Sequence, residues 1–182
     1  MVFYAYAVLC SELFLMTFYG ALYRSKDSNL TPRIPVPSSK HDFLLISSYG
    51  RKLAELEKAD ATVAYTPRLS NWINLFKLPF RLTSFVVNED DGEINLYEDK
   101  VLKVTLDQVT TKVISYQVAG YNVISQWLKL HSHAYTRADF TNTDFVELVE
   151  LLGKIERQIR LIRRIDEAVE TLLKGKLFVC GG

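Results

Sequence analysis

Histidine and cysteine side chains are scarce in this chain, and their spacing decides whether they suit a metal site. Two of the three histidines, His131 and His133, end the stretch YQVAGYNVISQWLKLHSH (116–133), and His41 lies far away in sequence. Residues two apart on a helix point in different directions, whereas a metal-binding pair needs a spacing of four. We therefore expect no metal site here. We interpret both residues as surface histidines near a helix C-terminus, where a charged imidazole interacts favourably with the helix dipole.

The chain also lacks the common motifs of catalysis. It contains no GxGxxG, GxxxxGK[ST], HExxH or GxSxG pattern, and these patterns place the phosphate-binding loops, metal ligands and nucleophiles of many enzymes. Cys10 and Cys180 lie near opposite ends, which is neither a disulfide framework nor a metal motif and indicates a reducing, cytoplasmic compartment. We expect no catalytic residue and no cofactor.

Charge is nearly balanced, with 22 basic and 21 acidic residues among 182. The bulk charge therefore supplies no attraction to nucleic acid, and any such binding surface must be a local patch. Hydrophobic residues make up 48% and charged residues 24% of the chain, which is the balance of a globular domain.

Hydrophobic periodicity predicts an α+β fold, with a small antiparallel or mixed sheet, flanking helices and a long C-terminal helix. The charged loop NEDDGE suits a hairpin, Asn122 is a predicted helix N-cap, and Gly50 is expected where two backbones pack closely. The predicted helices cover 3–23, 42–58, 122–131 and 144–173, and the predicted strands cover 82–87, 94–97, 101–106 and 113–118.

The N-terminal stretch is apolar enough to raise the question of a membrane segment. Glu12 lies inside it, and no basic residues precede the apolar run as they would in a signal peptide. We expect a helix that packs against protein, with a membrane or targeting segment as the alternative. Residues 1–40 are predicted to form this helix and a proline-rich connector, and 41–182 the α+β domain, together one structural unit.

The long C-terminal helix carries an apolar seam and a basic stripe. The predicted seam follows steps of four, three and seven through Leu148, Leu152, Ile155, Ile159, Ile162 and Val169, and Asp144 with Glu147 resembles a capping box. Arg157, Arg160 and Arg164 lie opposite the seam at about 100° per residue. They form either a phosphate-contacting ridge or a solvated face balanced by Glu156, Asp166, Glu167 and Glu170.

Further residues suited to contact a phosphate or a base lie in two other places. Trp127 is surrounded by aliphatic residues and is interpreted as a packing residue, while Lys129 and Arg137 border it and are placed to reach a phosphate. The aromatic-rich stretch 66–83 has the composition of a base-reading surface, because Arg or Lys read guanine and Asn or Gln read adenine. Its candidates are Arg68, Asn71, Asn74, Lys77 and Arg81.

Four separated motifs together resemble a known family. FYAYAVLCSELFLMTFYGAL (3–22), TPRIPVP (31–37) with FLLISSYGRKLAELE (43–57), YQVAGYNVISQWLKL (116–130) and VELVELLGKIERQIRLIRRIDE (146–167) occur in the family's order. The chain resembles the C-terminal target-recognition, or specificity, domain of type ISP restriction–modification enzymes and related adenine-specific DNA methyltransferases. Two departures are the loss of a basic run after Trp127, where Arg137 is the nearest substitute, and the missing histidine after LAEL.

The resemblance implies a specificity module without catalysis. The family's F-x-G-x-G and N-P-P-[FYW] methyltransferase motifs are absent, so the resemblance implies a stand-alone subunit, a gene remnant or a fragment. Its expected partners are double-stranded DNA and a separate methyltransferase or restriction subunit, with no membrane. The alternative hypothesis is a protein–protein module that docks a partner through its apolar terminal helices. A small enzyme is a third hypothesis, for which the sequence offers no constellation of catalytic residues.

Overall fold

The structure, a computed structural model, describes residues 1–23, 34–58 and 78–174. It confirms the α+β class. The chain divides into two compact units, of which the first comprises Met1–Ala61 with Gln158–Gly182 and the second Thr62–Arg157. In chain order the elements are α1 (Val2–Cys10), α2 (Glu12–Tyr23), α3 (Lys40–Leu56), β1 (Ser84–Asn88), β2 (Glu93–Glu98), β3 (Val101–Leu106), α4 (Thr111–Ile114), β4 (Gln117–Val118), β5 (Tyr121–Asn122), α5 (Val123–Leu130), α6 (His133–Thr136) and α7 (Asn142–Lys174).

The prediction of one helix over 3–23 is wrong, because the chain breaks at Ser11. This residue has an extended backbone, with φ −70° and ψ 120°, between α1 and α2. Its hydroxyl accepts a hydrogen bond from the Phe14 N–H at 3.1 Å and so caps α2. Within the described residues, no helix is both long and apolar enough to cross a membrane.

Helix α3 packs against α1 in the first unit, and Gly50 is where the two backbones approach. A Cβ atom at this position would lie 2.0 Å from the Phe3 carbonyl oxygen and 3.0 Å from the Ala7 Cβ. The prediction of close packing at Gly50 is therefore confirmed. The core around this contact consists of Tyr4, Ala7, Val8, Phe14, Ile46, Leu53, Ile165 and Val169.

The second unit is built on an antiparallel sheet in the order β1-β2-β3. The predicted hairpin across NEDDGE is confirmed, with Asn88 paired to Glu93 at its closed end. Alternate residues of β2 and β3, among them Ile94, Leu96 and Leu106, are fully buried, as the period of two in a half-buried sheet requires.

The prediction of a strand over 113–118 is wrong except at its end. Val113 and Ile114 are neighbours and both are buried, which one face of a strand cannot achieve, and they belong instead to the single helical turn α4. The predicted N-cap at Asn122 and the helix that follows it are confirmed. Ala119 and Gly120, with φ 52° and 82°, join β4 to β5, the backbone of a type I′ hairpin turn. The Asn122 side chain then accepts from the Ser125 N–H at 2.8 Å and caps α5.

Helix α7 begins two residues before the predicted start, and its capping box lies three residues earlier. Thr141 is the N-cap: its N–H donates to Asp144 Oδ2 at 2.7 Å, and the Asp144 N–H donates back to its hydroxyl at 3.4 Å. The predicted pair Asp144 and Glu147 is therefore corrected to Thr141 and Asp144.

Four of the six predicted seam residues of α7 are buried, three in the second unit and Val169 in the first. Leu148, Leu152 and Ile155 are the three in the second unit, whereas Ile159 and Ile162 are half-buried. In the first unit the fully buried residues are Ile165, which the seam missed, and Val169. The buried face changes because each part of the helix packs into the core of its own unit.

Candidate nucleic-acid interface

The predicted DNA contacts are distributed over both units. Arg68, Asn71, Asn74 and Lys77 lie outside the described residues. Arg81, Lys129, Arg137 and Arg157 belong to the second unit, and Arg160 and Arg164 to the first. All six of these described cations are exposed.

Backbone pairing brings Arg81 into the part of the second unit that also holds Lys129 and Arg137. Phe80 and Phe140 exchange two backbone hydrogen bonds, of 3.2 and 2.7 Å, and the His133 N–H donates to the Leu82 carbonyl at 2.9 Å. The side chains of Phe80 and Leu82 are buried. Of the stretch 66–83, the structure describes residues 78–83. Among these, Phe80 and Leu82 belong to the core, and Arg81 is the predicted DNA contact.

The charge of Arg81 is largely compensated by neighbouring carboxylates. Its guanidinium lies 3.4 Å from Glu98 Oε1 and 2.9 Å from Asp99 Oδ2. Lys103 contacts Glu98 at 2.8 Å, and hydrogen bonds from the Lys103 ammonium and the Arg81 backbone N–H lower the pKa of Glu98 to about 2. A phosphate at Arg81 would have to compete with this ion-pair network.

Lys129 and Arg137 differ from Arg81, because neither has an ion-pair partner in the part of the chain that the structure describes. Lys129 lies in the last turn of α5. Arg137 ends α6 with φ 58°, a left-handed backbone that glycine usually provides at such a position. An arginine here costs about 1 kcal/mol or more in local strain, and such strained residues are concentrated at functional sites.

The arginines of α7 lie on its exposed surface. Arg157, Arg160 and Arg164 follow steps of three and four, so helical geometry places them on one face. Arg160 takes part in a further interaction within the chain. Asp166 was one of the acids that balance this face in the solvated-face alternative. It instead accepts hydrogen bonds from the Ser11 hydroxyl at 2.6 Å and the Leu13 N–H at 3.2 Å.

Trp127 is half-buried rather than fully enclosed. Its ring stacks on the His131 imidazole with centroids 3.7 Å apart and 16° between the planes, and Phe140 meets it edge-on at 6.4 Å. The residue packs within the second unit.

Sequence reasoning missed the polar contact between Ser11 and Asp166, whose residues are 155 apart along the chain. A local signal for part of it exists, since serine followed by glutamate is typical of a helix start.

Of the resembling stretches, three contribute contacts to the core of the first unit. Besides Ser11 with Asp166, Gly50 packs on α1, and the Tyr4 hydroxyl donates to the Pro35 carbonyl.

Comparison with protein families gives a match to the type ISP C-terminal specificity domain over residues 1–161 of 182. The chain belongs to this family. Neither the curated proteins nor the solved structures include a significantly similar protein. The match confirms the resemblance drawn from the sequence and supports a role in target recognition within restriction–modification.

Proposed function

We propose that this chain is a non-catalytic module that recognises a duplex DNA target for a restriction–modification methyltransferase in the cytoplasm. The observation that carries the proposal is the family match over residues 1–161. The exposed cations of the second unit support it, because arginine and lysine contacts with phosphates supply the sequence-independent part of DNA affinity.

Lys129 and Arg137 are the proposed phosphate contacts, since neither charge is paired with a described carboxylate. Arg81 is proposed to contribute less, because Glu98 and Asp99 already bind its guanidinium. Arg157, Arg160 and Arg164 remain proposed contacts on α7, as do Arg68, Asn71 and Lys77 outside the described residues.

The proposal is tested by fluorescence anisotropy with a labelled mixed-sequence duplex at salt concentrations from about 50 to 200 mM. The chain is measured alone and together with a type ISP methyltransferase catalytic region. We expect binding whose logarithm falls linearly with the logarithm of salt concentration, with a slope of about 0.9 for each phosphate contacted. Binding that is undetectable in both cases, or independent of salt, would contradict the proposal.

We also propose that the first unit contacts the catalytic region. Apolar side chains of α1 and α2 are exposed, with Val2 and Met16 each at 78%, and exposed apolar surface is typical of protein-binding sites. The description of the family as a C-terminal domain indicates that a catalytic region accompanies it. A Met16→Lys variant is expected to lose co-purification with that region, whereas Leu44→Lys on α3, also exposed, is the control. Equal recovery of both variants would count against this contact.

A further inference from the structure

Three potential metal ligands meet in the second unit, although His131 is distant in sequence from the other two. His131 follows the end of α5, and Asp144 and Glu147 lie in the first two turns of α7. One ligand atom from each residue lies within 4.8 Å of the other two. His131 Nε2 lies 3.9 Å from Glu147 Oε2.

The His131 ring is held in the orientation that a metal ligand requires. Its Nδ1 lies 2.8 Å from the Trp127 carbonyl oxygen. A carbonyl only accepts, so Nδ1 carries the proton, and in the neutral ring the lone pair is on Nε2, the atom nearest Glu147. Metal-ligating histidines typically donate their second N–H to a carbonyl or carboxylate in this way. Stacking on Trp127 further restricts rotation of the ring.

The two carboxylate side chains differ in how freely they can move. Asp144 is fixed by the helix cap, because its Oδ2 accepts from the Thr141 N–H at 2.7 Å and from the Thr141 hydroxyl at 2.5 Å. Its Oδ1 makes neither of these bonds. Glu147 is 53% exposed at its side chain and is therefore free to change rotamer. Ligands at about 2.0–2.2 Å from one ion lie roughly 3–3.6 Å apart. The 3.9 Å between His131 Nε2 and Glu147 Oε2 therefore has to shorten by about 0.5 Å, which movement of Glu147 allows.

We propose that His131, Asp144 and Glu147 bind a divalent first-row transition metal ion, of which Zn²⁺ is a representative, with water completing the coordination. An imidazole nitrogen with two carboxylates suits zinc and its neighbours better than magnesium or calcium, which prefer oxygen ligands throughout. The bound ion joins the end of α5 to the start of α7 and so fixes both ends of the segment 131–144. The site does not depend on DNA binding by the chain.

The spacing argument from the sequence concerned His131 with His133 and gave no reason to expect such a site. His133 takes no part in it, since its Nδ1 instead lies 3.1 Å from the Ala138 carbonyl. The carboxylates come from 13 and 16 residues further along the chain. Their approach to His131 depends on the packing of two helices, which no local motif records.

The test is a Zn²⁺ titration of the full chain in competition with a chromophoric zinc indicator, after alkylation of the two cysteines so that thiolates do not contribute. We expect one saturable site. His131→Gln and Glu147→Gln are each expected to weaken it by at least the roughly 10- to 100-fold that loss of an outer-shell partner costs. His133→Gln is the matched control and is expected to bind as the wild-type chain does.

Thermal unfolding supplies a second readout, because an ion that binds the folded chain alone raises the unfolding midpoint. At one fixed Zn²⁺ concentration, the midpoint is expected to rise equally for the wild-type chain and for His133→Gln, and by clearly less for Glu147→Gln. This exposed substitution alters no helix cap, so a failure to fold does not confuse the result. The proposal is overturned by the absence of a saturable site, by equal affinity in all variants, or by loss of binding in His133→Gln alone.

Discussion

The two units of this protein differ in what their notable residues do. In the first unit, residues from three of the family-like stretches contact one another: Tyr4 binds Pro35, Gly50 packs on α1, and Ser11 binds Asp166. In the second unit, the candidate contact residues Lys129 and Arg137 lie exposed beside short helices and have no ion-pair partner among the described residues.

The family-like residues that form these first-unit contacts are not the residues proposed to bind DNA, although Lys129 and the α7 arginines also lie in family-like stretches. The family-like residues named above in the first unit are buried or hydrogen-bonded, so their role is to hold helices together. The proposed contacts of the second unit are surface side chains whose replacement costs the fold little. Substitutions of these first-unit residues and of Lys129 and Arg137 should therefore separate stability from DNA binding.

The largest effect is expected for Gly50→Ala. The added methyl group would lie 2.0 Å from the Phe3 carbonyl oxygen, and the resulting displacement of α1 is expected to lower the free energy of unfolding by about 3 kcal/mol. Urea denaturation measures this loss. Gly120→Ala is the control: no atom lies within 4 Å, and only its φ of 82° opposes the substitution, so a loss of about 1 kcal/mol is expected. An equal loss in both variants would show that the contact between α1 and α3 is not tight.

Asp166→Ala is expected to be the next most damaging. It removes a carboxylate oxygen that accepts from Ser11 and Leu13, and hydrogen bonds to charged groups contribute about 1.5–3 kcal/mol, so we expect a loss of about 2 kcal/mol. The neighbouring Glu167→Ala removes an exposed pair with Arg163 and should cost less than about 0.5 kcal/mol. Salt-dependent DNA binding of the folded molecules should be unchanged in both variants. A changed salt slope would contradict the separation of stability from DNA binding.

A smaller effect is expected for acid sensitivity in the second unit. The folded pKa of Glu98 is about 2, below the ordinary glutamate value of about 4.3. Its stabilising contribution is therefore present above that ordinary value and is lost as the pH falls toward 2. Urea midpoints measured from pH 6 to pH 2.5 should decline less steeply in Glu98→Gln than in the wild-type chain. Glu89→Gln, in the exposed hairpin loop, is the control, and identical profiles for wild-type and Glu98→Gln would contradict the assignment.

Features with local signals were predictable from the sequence. The hairpin across NEDDGE, strand β3, the Asn122 cap and the close packing at Gly50 each depend on residues that are near in sequence or on the chemistry of one residue type. Prediction failed where tertiary contacts decided the structure. Val113 and Ile114 have high strand propensity, yet burial of both places them in a helical turn.

For the candidate sites, the sequence predicted individual residues but not the partners that they contact. Lys129 and Arg137 were identified from their position in sequence, but the pairing of Arg81 with Glu98 and Asp99 depends on residues 17 and 18 positions away. No sequence pattern predicts the left-handed backbone of Arg137 or the approach of Asp144 and Glu147 to His131. The order of the four family-like stretches, by contrast, was sufficient to identify the family.

The most direct test of the central claim compares DNA binding and stability in the double variant Lys129→Ala, Arg137→Gly. Glycine suits the left-handed backbone of residue 137, so the free energy of unfolding should change by less than about 1 kcal/mol. The salt slope of duplex binding should fall by about 0.9 for each phosphate that the variant no longer neutralises, and Lys52→Ala on α3 should leave it unaltered. A wild-type slope and affinity in the stable double variant would contradict the claim that the second unit binds DNA through these residues.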